Sequence, residues 1–270
     1  MQTILTTTEQ NKVKSIFISA GKKLLTLRGA KRLTSKNIGH VTTNVVTQAD
    51  IEIENFLRQE LGKTFPTIGF YSEETAKEST GELNKNRVWI VDPIDGTLNF
   101  ARGLPLFAVG TALNVMGKPA ASFIYFPVFD ELYWALTKNG AYVNKKRITA
   151  STNPNPQEVL PILSHIRLSP DQQATLYTLL AKNHFSLKTV GCAHFHAAYT
   201  AAGHYDIWIG INQALWDMAP GQTLITEAGG TFEYIKSDES AKSQNILYHH
   251  WFIAGNPTLV KQLAPEIKKI

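Results

Sequence analysis

The sequence predicts an α+β half followed by an α/β half, and three observations support this fold class. Two stretches with helical spacing of apolar residues open the chain, short apolar runs follow them, and strands and helices then alternate. At about 100–200 residues per domain, the 270 residues make one large domain or two that share a core. With 43% hydrophobic and 18% charged residues, the chain as a whole is not disordered.

Cysteine content, apolar runs and charge exclude several functional classes. The single cysteine, Cys192, can form neither an internal disulfide nor a cysteine-based metal cluster. No apolar run has the length of a membrane span and the N-terminal residues lack the order of a secretory signal, so we expect a cytoplasmic protein without a membrane partner. The net charge of +5 comes from scattered basic residues, which suits a small anionic substrate and argues against nucleic acid as a partner.

Helical periodicity and short apolar runs define the predicted elements of the first half. Apolar residues at every third or fourth position predict a helix over residues 9–25, and a polar loop follows at residues 28–43. A second helix is predicted to begin with Asp50 as its N-cap and to end at Gly62. Strands are predicted at residues 67–70 and 88–91, and a meander at residues 107–115, 119–126 and 131–136.

The pattern changes near residues 152–156, which predict a linker between two subdomains. We place an N-terminal α+β subdomain with most metal ligands at residues 1–150 and a C-terminal α/β subdomain at residues 151–270, with one shared active site. The second half is predicted to hold strands at residues 159–164, 186–190, 205–209, 231–235 and 251–254. Four helices are predicted in this half. One begins at residue 170, a second ends at residue 199, a third covers residues 217–228, and the fourth ends the chain.

Two aspartates follow a strand that is apolar throughout. Asp92 ends this strand and Asp95 comes three residues later, so the two carboxylates repel each other unless a cation lies between them. Oxygen-only ligation suits a hard cation such as Mg²⁺, and the loop adds the Ile94 carbonyl and the Thr97 hydroxyl. A helix that opens after Gly96 would favour a phosphate there. The alternative interpretation is an aspartate-rich turn in which the carboxylates only cap backbone groups.

Other acidic residues stand at similar places in the predicted fold. Glu73 follows the strand at residues 67–70, while Asp50 and Asp217 stand where helices begin. Each of these acids alone is better explained by a solvated loop or an N-cap. Together with the aspartate pair, they fall where α/β folds build their sites, at strand ends and helix starts.

Four segments of the chain resemble the inositol monophosphatase family, in family order and at family-like spacing. Residues 89–100 (WIVDPIDGTLNF) and 216–230 (WDMAPGQTLITEAGG) are similar to the two long signatures of that family. Residues 72–75 (SEET) and 46–50 (VTQAD) resemble its two shorter acidic segments. The resemblance covers most of the chain, from about residue 9 to the last helix.

The resemblance implies a layered αβαβα sandwich of the sugar phosphatase type and a cytoplasmic homodimer. The implied function is a phosphatase that requires Mg²⁺, is inhibited by Li⁺ and hydrolyses a small phosphorylated metabolite such as inositol monophosphate by two-metal activation of water. Related members of the superfamily act on fructose 1,6-bisphosphate, histidinol phosphate or a 3′-phosphonucleotide, so these substrates stay open. A non-enzymatic role associated with RNA or transcription is the alternative from another class.

The resemblance also implies a ligand set for two or three Mg²⁺ ions. Glu73, Asp92 and the Ile94 carbonyl would hold one ion. Asp92, Asp95 and Asp217 would hold a second, so that Asp92 bridges the pair, and a third, weaker ion would lie near Glu73.

The remaining site residues implied by the resemblance handle water and phosphate. Thr97 and Asp50 would orient and deprotonate the attacking water, with Glu73 as the third catalytic residue. The backbone N–H groups of Gly96 and Thr97 would receive the phosphate, and two metal ligands are also expected to contact the substrate: Asp95 and Asp217.

The chain departs from the family pattern at positions that bear on the substrate. Gly210 stands where inositol-preferring members carry an acidic residue, seven positions before Asp217. His194 and His196 stand where the family has a small residue and an Asn or Asp, so they either contact the substrate or are satisfied core histidines. Cys192 is predicted to be a small buried residue and not a nucleophile.

Overall fold

The chain folds into helices and sheets that alternate in five layers. The computed structural model describes residues 3–27, 32–35, 45–153, 158–165, 168–186, 188–237 and 250–270. Most of the predicted loop at residues 28–43 and part of the predicted linker at residues 152–156 lie outside these ranges. The division into subdomains at residues 1–150 and 151–270 stays a prediction.

Seven α-helices lie within the described ranges of the chain. They are α1 (Thr7–Thr26), α2 (Gln48–Thr64), α3 (Thr97–Ala101), α4 (Pro170–Lys182), α5 (Ala193–Ala201), α6 (Leu215–Glu227) and α7 (Pro257–Ile267). A short 3₁₀ helix covers Thr80–Asn84.

The strands form a small ribbon and two larger sheets. In the ribbon, β1 (Arg32–Ser35) pairs antiparallel with β2 (Val45–Thr47). The seven-stranded sheet runs in sequence order through β3 (Gly69–Ser72), β4 (Arg87–Asp95), β5 (Ala108–Val115), β6 (Lys118–Phe126), β7 (Glu131–Leu136), β8 (Gly140–Val143) and β9 (Lys146–Ile148), and its one parallel pair is β3 with β4. The four-stranded sheet holds β10 (Pro161–His165), β11 (Ile207–Gln213), β12 (Thr231–Ser237) and β13 (His250–Gly255), in the order β10-β11-β13-β12.

The alternation of side chains along single strands separates the layers. On β6, Phe123 and Tyr125 pack into the core under α1 and α2, whereas Ile124 and Phe126 face the opposite core. That second core also holds Trp208 of the four-stranded sheet and lies around α5 and α6. The next residues of β11, Ile207 and Ile209, face outward to a third core under α4 and α7.

The resulting order is helices, seven-stranded sheet, helices, four-stranded sheet, helices. This arrangement confirms the predicted layered αβαβα fold, because each sheet is covered by helices on both faces. Across the described residues, the helices are too short or too polar to pass through a bilayer.

Two predicted helix starts were wrong by a few residues. α2 begins at Gln48 with Thr47 as its N-cap, so Asp50 is the third helical residue and not the cap. α6 begins at Leu215, so Asp217 is likewise the third residue of its helix. In both helices a carboxylate oxygen reaches back to the backbone N–H of the cap residue, which is how an acidic side chain in the first turn stabilises a helix start.

The loop predicted at residues 28–43 contains β1 (Arg32–Ser35), and the strand predictions were wrong at two further places. Among the described residues of the predicted strand at 186–190, only Lys188 forms a bridge, to Ile162. β4 does not stop before the second aspartate, since its pairing with β5 is interrupted after Asp92 and resumes at Asp95 opposite Ala108. The interruption places Asp92 and Asp95 together at the end of β4, with ligand atoms within 4.8 Å of each other.

Candidate active site

The end of β4 forms a tight turn into the short helix α3. Asp92 is buried, and one of its carboxylate oxygens accepts a hydrogen bond of 3.0 Å from the backbone N–H of Ile94. Gly96 follows with φ of 82°, and a Cβ at this position would lie 2.7 Å from the Leu106 carbonyl oxygen. Only glycine fits such a turn, which allows α3 to begin at Thr97.

A threonine and an aspartate form a hydrogen-bonded pair beside this turn. Thr97 Oγ1 lies 3.0 Å from Asp50 Oδ1 and 2.8 Å from the Ile94 carbonyl oxygen, so its one proton serves either acceptor. Asp50 Oδ2 accepts hydrogen bonds from the N–H and the hydroxyl of Thr47, at 2.7 and 2.6 Å. Burial raises the pKa of Asp50 in spite of these bonds, which makes its carboxylate a stronger base than an exposed one.

Five carboxylates come close enough to influence one another. The pKa of Asp92 is raised well above its usual value, first by burial and then by the negative charges of Glu73, Asp95, Asp217 and Asp50. Repulsion of this kind in a buried place favours binding of a cation.

Neighbouring elements position two of these acids. β3 runs parallel to β4, and the backbone N–H of Glu73 donates to the Val91 carbonyl at 3.2 Å, so Glu73 follows β3 next to the end of β4. Asp217 is held in the first turn of α6, where its Oδ2 accepts the Ala214 N–H at 3.2 Å. The pKa of Asp217 is raised by burial and by the charge of Asp95.

The start of α5 binds the second aspartate of the turn. Asp95 Oδ1 accepts the N–H of Ala193 at 3.1 Å, and Asp95 Oδ2 accepts the N–H of His194 and lies 3.1 Å from the Cys192 sulfur. Cys192 is buried, as predicted, and burial and the charge of Asp95 raise the pKa of its thiol. A protonated thiol of this kind is not a nucleophile.

The two histidines of α5 differ in their surroundings. His196 is buried with both ring nitrogens bonded, Nδ1 to the Ser164 hydroxyl and Nε2 to the Val190 N–H, and burial lowers its pKa to about 3. This arrangement is the satisfied core histidine that the sequence left open. His194 is also buried, and its Nδ1 lies 3.6 Å from Asp95 Oδ2, inside the site.

Gly210 stands on β11 directly opposite Phe252 of β13. A Cβ at this position would lie 2.2 Å from the tip of the Phe252 ring. The aromatic ring therefore fills the place that any side chain at position 210 would need, which gives a physical reason for the missing acidic residue.

Three buried side chains offer ligand atoms for one cation. One atom each from Asp92, Asp95 and His194 lies within 4.8 Å of the other two. The two aspartates were predicted as ligands from the sequence, and the histidine was not, because no sequence signal relates it to a strand end far earlier in the chain. The donor set fits a divalent cation. The five ligands predicted from the sequence stay predictions: Glu73, Asp92, Ile94, Asp95 and Asp217.

The comparisons with known proteins identify related sequences and structures. The sequence model described as the inositol monophosphatase family matches residues 6–270. The chain is 36% identical over 229 residues to an inositol-1-monophosphatase of Rhizobium meliloti (83% of each chain covered) and 30% identical over 234 residues to the Nus factor SuhB of Escherichia coli K12 (84% of each). The crystal structure of the extragenic suppressor protein SuhB from Bartonella henselae superposes with a TM-score of 0.79 at 29% identity, covering 96% of this chain and 98% of that one.

Proposed function

Because the chain belongs to the inositol monophosphatase family, we propose that it is a metal-dependent phosphatase that hydrolyses a small phosphate monoester. The observation that carries this proposal is the convergence of four other acids on the buried Asp92, whose pKa is raised first by burial and then by their charges. A cluster of this kind holds divalent cations, and hydrolysis of phosphate monoesters needs them to neutralise charge on the phosphoryl group.

The residues that would hold Mg²⁺ are Glu73, Asp92, Asp95, Asp217 and the carbonyl of Ile94, for two or three ions. Support comes from the chemistry of the donors, since carboxylate and carbonyl oxygens are the ligands that Mg²⁺ prefers. Bound Mg²⁺ supplies a Lewis acid that polarises the phosphoryl oxygens and lowers the pKa of a bound water.

The chain's own residues would position the nucleophile and the phosphate. The Thr97 hydroxyl orients the attacking water, and the Asp50 carboxylate behind it takes up the proton, which their 3.0 Å contact supports. Glu73 completes the catalytic set. The N–H groups of Gly96 and Thr97 bind the phosphate, with Asp95 and Asp217 beside the substrate.

The substrate that we propose to test first is inositol monophosphate, because relatives carry the name inositol-1-monophosphatase. Phe252 closes the space beside Gly210, so the hydroxyl contact that an acidic residue would make there is missing. This difference favours a broader choice among small phosphorylated metabolites.

A substrate panel tests the proposed function. Phosphate release would be measured with inositol 1-phosphate, fructose 1,6-bisphosphate, histidinol phosphate and a 3′-phosphonucleotide, in Mg²⁺ and in EDTA. We expect turnover of at least one substrate that EDTA abolishes and that Asp92→Asn removes. Absence of Mg²⁺-dependent release across the panel would refute the phosphatase assignment.

A relative named Nus factor SuhB supports a second candidate, a non-enzymatic role associated with RNA or transcription. The test is RNA binding at several salt concentrations, because phosphate contacts weaken steeply as salt rises. Salt-sensitive binding that Asp92→Asn leaves unchanged would favour this role, alone or beside hydrolysis.

The homodimer and the cytoplasmic location belong to the same proposal. Sedimentation of the purified protein tests the first and cell fractionation the second.

A further inference from the structure

The ring of His194 faces the two aspartates of the β4 turn. Its Nδ1 lies 3.6 Å from Asp95 Oδ2, and one ligand atom of Asp92 completes a group within 4.8 Å. All three side chains are buried, and the His194 side chain is fully enclosed.

Hydrogen bonding fixes which nitrogen of His194 carries the proton. Nε2 lies 3.2 Å from the Trp216 carbonyl oxygen, and because a carbonyl only accepts, Nε2 must be the N–H donor. The neutral ring therefore presents the lone pair of Nδ1 to Asp95. Nδ1 has no hydrogen-bond partner among the residues that the structure describes.

Asp95 cannot satisfy this lone pair. Its Oδ2 already accepts from the backbone N–H of His194 and faces the thiol of Cys192. The lone pair of Nδ1 thus lies 3.6 Å from a carboxylate oxygen that accepts its hydrogen bond elsewhere. This arrangement costs free energy in a buried place, and a cation between the two atoms would stabilise it.

We propose that His194 is a metal ligand through Nδ1, and that with Asp92 and Asp95 it forms a mixed nitrogen–oxygen site that favours borderline divalent cations such as Mn²⁺, Co²⁺ and Zn²⁺ over Mg²⁺. The inference rests on the proposed function in that both aspartates hold metal there. Imidazole nitrogen suits these cations, whereas Mg²⁺ prefers oxygen.

Two features hold the ring in this place. The backbone N–H of His194 donates to Asp95 Oδ2, the same oxygen that lies 3.6 Å from Nδ1 of the His194 ring. On the other side, a Cβ at Gly110 of β5 would lie 2.3 Å from Cε1 and 2.5 Å from Nδ1 of His194, so the glycine leaves the ring its space.

Metal binding by the full-length protein tests the inference without relying on turnover. After removal of metal with EDTA, Co²⁺, Zn²⁺ and Mg²⁺ are titrated by calorimetry, and Co²⁺ also by its visible absorption. Loss of a group that only hydrogen-bonds a metal ligand already costs about 10–100-fold in metal affinity. We therefore expect His194→Ala, which removes a ligand itself, to weaken Co²⁺ and Zn²⁺ binding at least about tenfold and to change the Co²⁺ spectrum. Mg²⁺ affinity should change less than about threefold, since Mg²⁺ draws on the oxygen ligands.

His196→Asn is the matched control, because both ring nitrogens of this neighbouring buried histidine are already bonded. It should leave the Co²⁺ affinity and spectrum unchanged. His194→Gln, which refills the space beside Gly110, separates loss of the ligand from loss of packing: it should weaken Co²⁺ binding as much as His194→Ala while keeping a native melting temperature. Native Co²⁺ affinity and spectrum in both His194 variants would overturn the inference.

Failure of this inference differs from failure of the proposed function. If the native protein releases phosphate with Mg²⁺ and its Co²⁺ binding ignores position 194, the inference alone is wrong. If Co²⁺ binding depends on His194 but no substrate is hydrolysed, the phosphatase assignment is wrong and the mixed site stands.

Discussion

Replacing the proposed base by its amide, Asp50→Asn, separates its chemistry from its structural role. The amide oxygen can keep both hydrogen bonds from Thr47, and the NH₂ group can donate to the Thr97 hydroxyl while that hydroxyl donates to the Ile94 carbonyl. We therefore expect the free energy of unfolding to fall by about 1 kcal/mol or less.

The same change removes the group that takes up the proton. General-base catalysis contributes about 10²–10⁴-fold, so the turnover number should fall by that factor, which is about 2.7–5.4 kcal/mol in the barrier. KM should change little, because Asp50 bonds to the hydroxyl of Thr97 and not to its backbone N–H, which is the proposed phosphate-binding group. The assay is phosphate release at saturating Mg²⁺ and substrate, with the melting temperature measured in parallel.

Thr47→Ala is the control, because it should lower stability while largely keeping turnover. It leaves the Asp50 carboxylate in place and removes only the hydroxyl that donates to Asp50 Oδ2, so it should cost about 1 kcal/mol of stability and less than about tenfold in turnover. If Asp50→Asn retained turnover within about threefold of the native protein, the assignment of Asp50 as the base would be refuted.

Further predictions concern the metal site and the core. Asp92→Asn should abolish Mg²⁺-dependent turnover yet raise the melting temperature in EDTA, because it removes one of the mutually repelling buried charges; a lower melting temperature in EDTA would contradict the repulsion. Li⁺ at tens of millimolar, roughly the range for a weak site for a small hard cation, should inhibit phosphate release, and full activity there would count against such a site. The pKa of His196 is about 6.5 in the unfolded chain and about 3 in the folded protein, so the free energy of unfolding falls as the pH drops below about 6.5, by about 2.7 kcal/mol at pH 4.5. Denaturant unfolding at pH 7 and pH 4.5 should show a loss of stability that is smaller by this amount in His196→Asn than in the native protein. Gly210→Ala should cost about 1–3 kcal/mol through overlap with Phe252, and unchanged stability would mean that the ring moves aside freely.

The elements with strong local signals were predicted well. The helix expected at residues 9–25 is α1 (Thr7–Thr26), and the meander became β5, β6 and β7 with shifts of one residue at most. These stretches carry clear periods of apolar residues, which reflect the side of each element that must be buried.

Helix starts were predicted less well, because an acidic residue that caps a helix and one that is its third residue look alike in sequence. Asp50 and Asp217 were read as residues at the helix start, but each is the third helical residue and accepts from the backbone of the cap. The cap of α6 is Ala214, which carries no capping side chain, so no local pattern marks that boundary.

The sequence by itself determined the chemistry of the site, since Asp92 and Asp95 lie three positions apart after a buried strand and one short loop holds them together. Only the tertiary structure decided what faces them. His194 is 99 positions from Asp95, and its lone pair reaches that carboxylate because α5 packs between the two sheets with Gly110 leaving room for the ring. Likewise Phe252 closes the space at Gly210 through pairing of β11 with β13. Contacts of this kind depend on how the helix and sheet layers pack together, and the spacing of residues along the chain does not predict that packing.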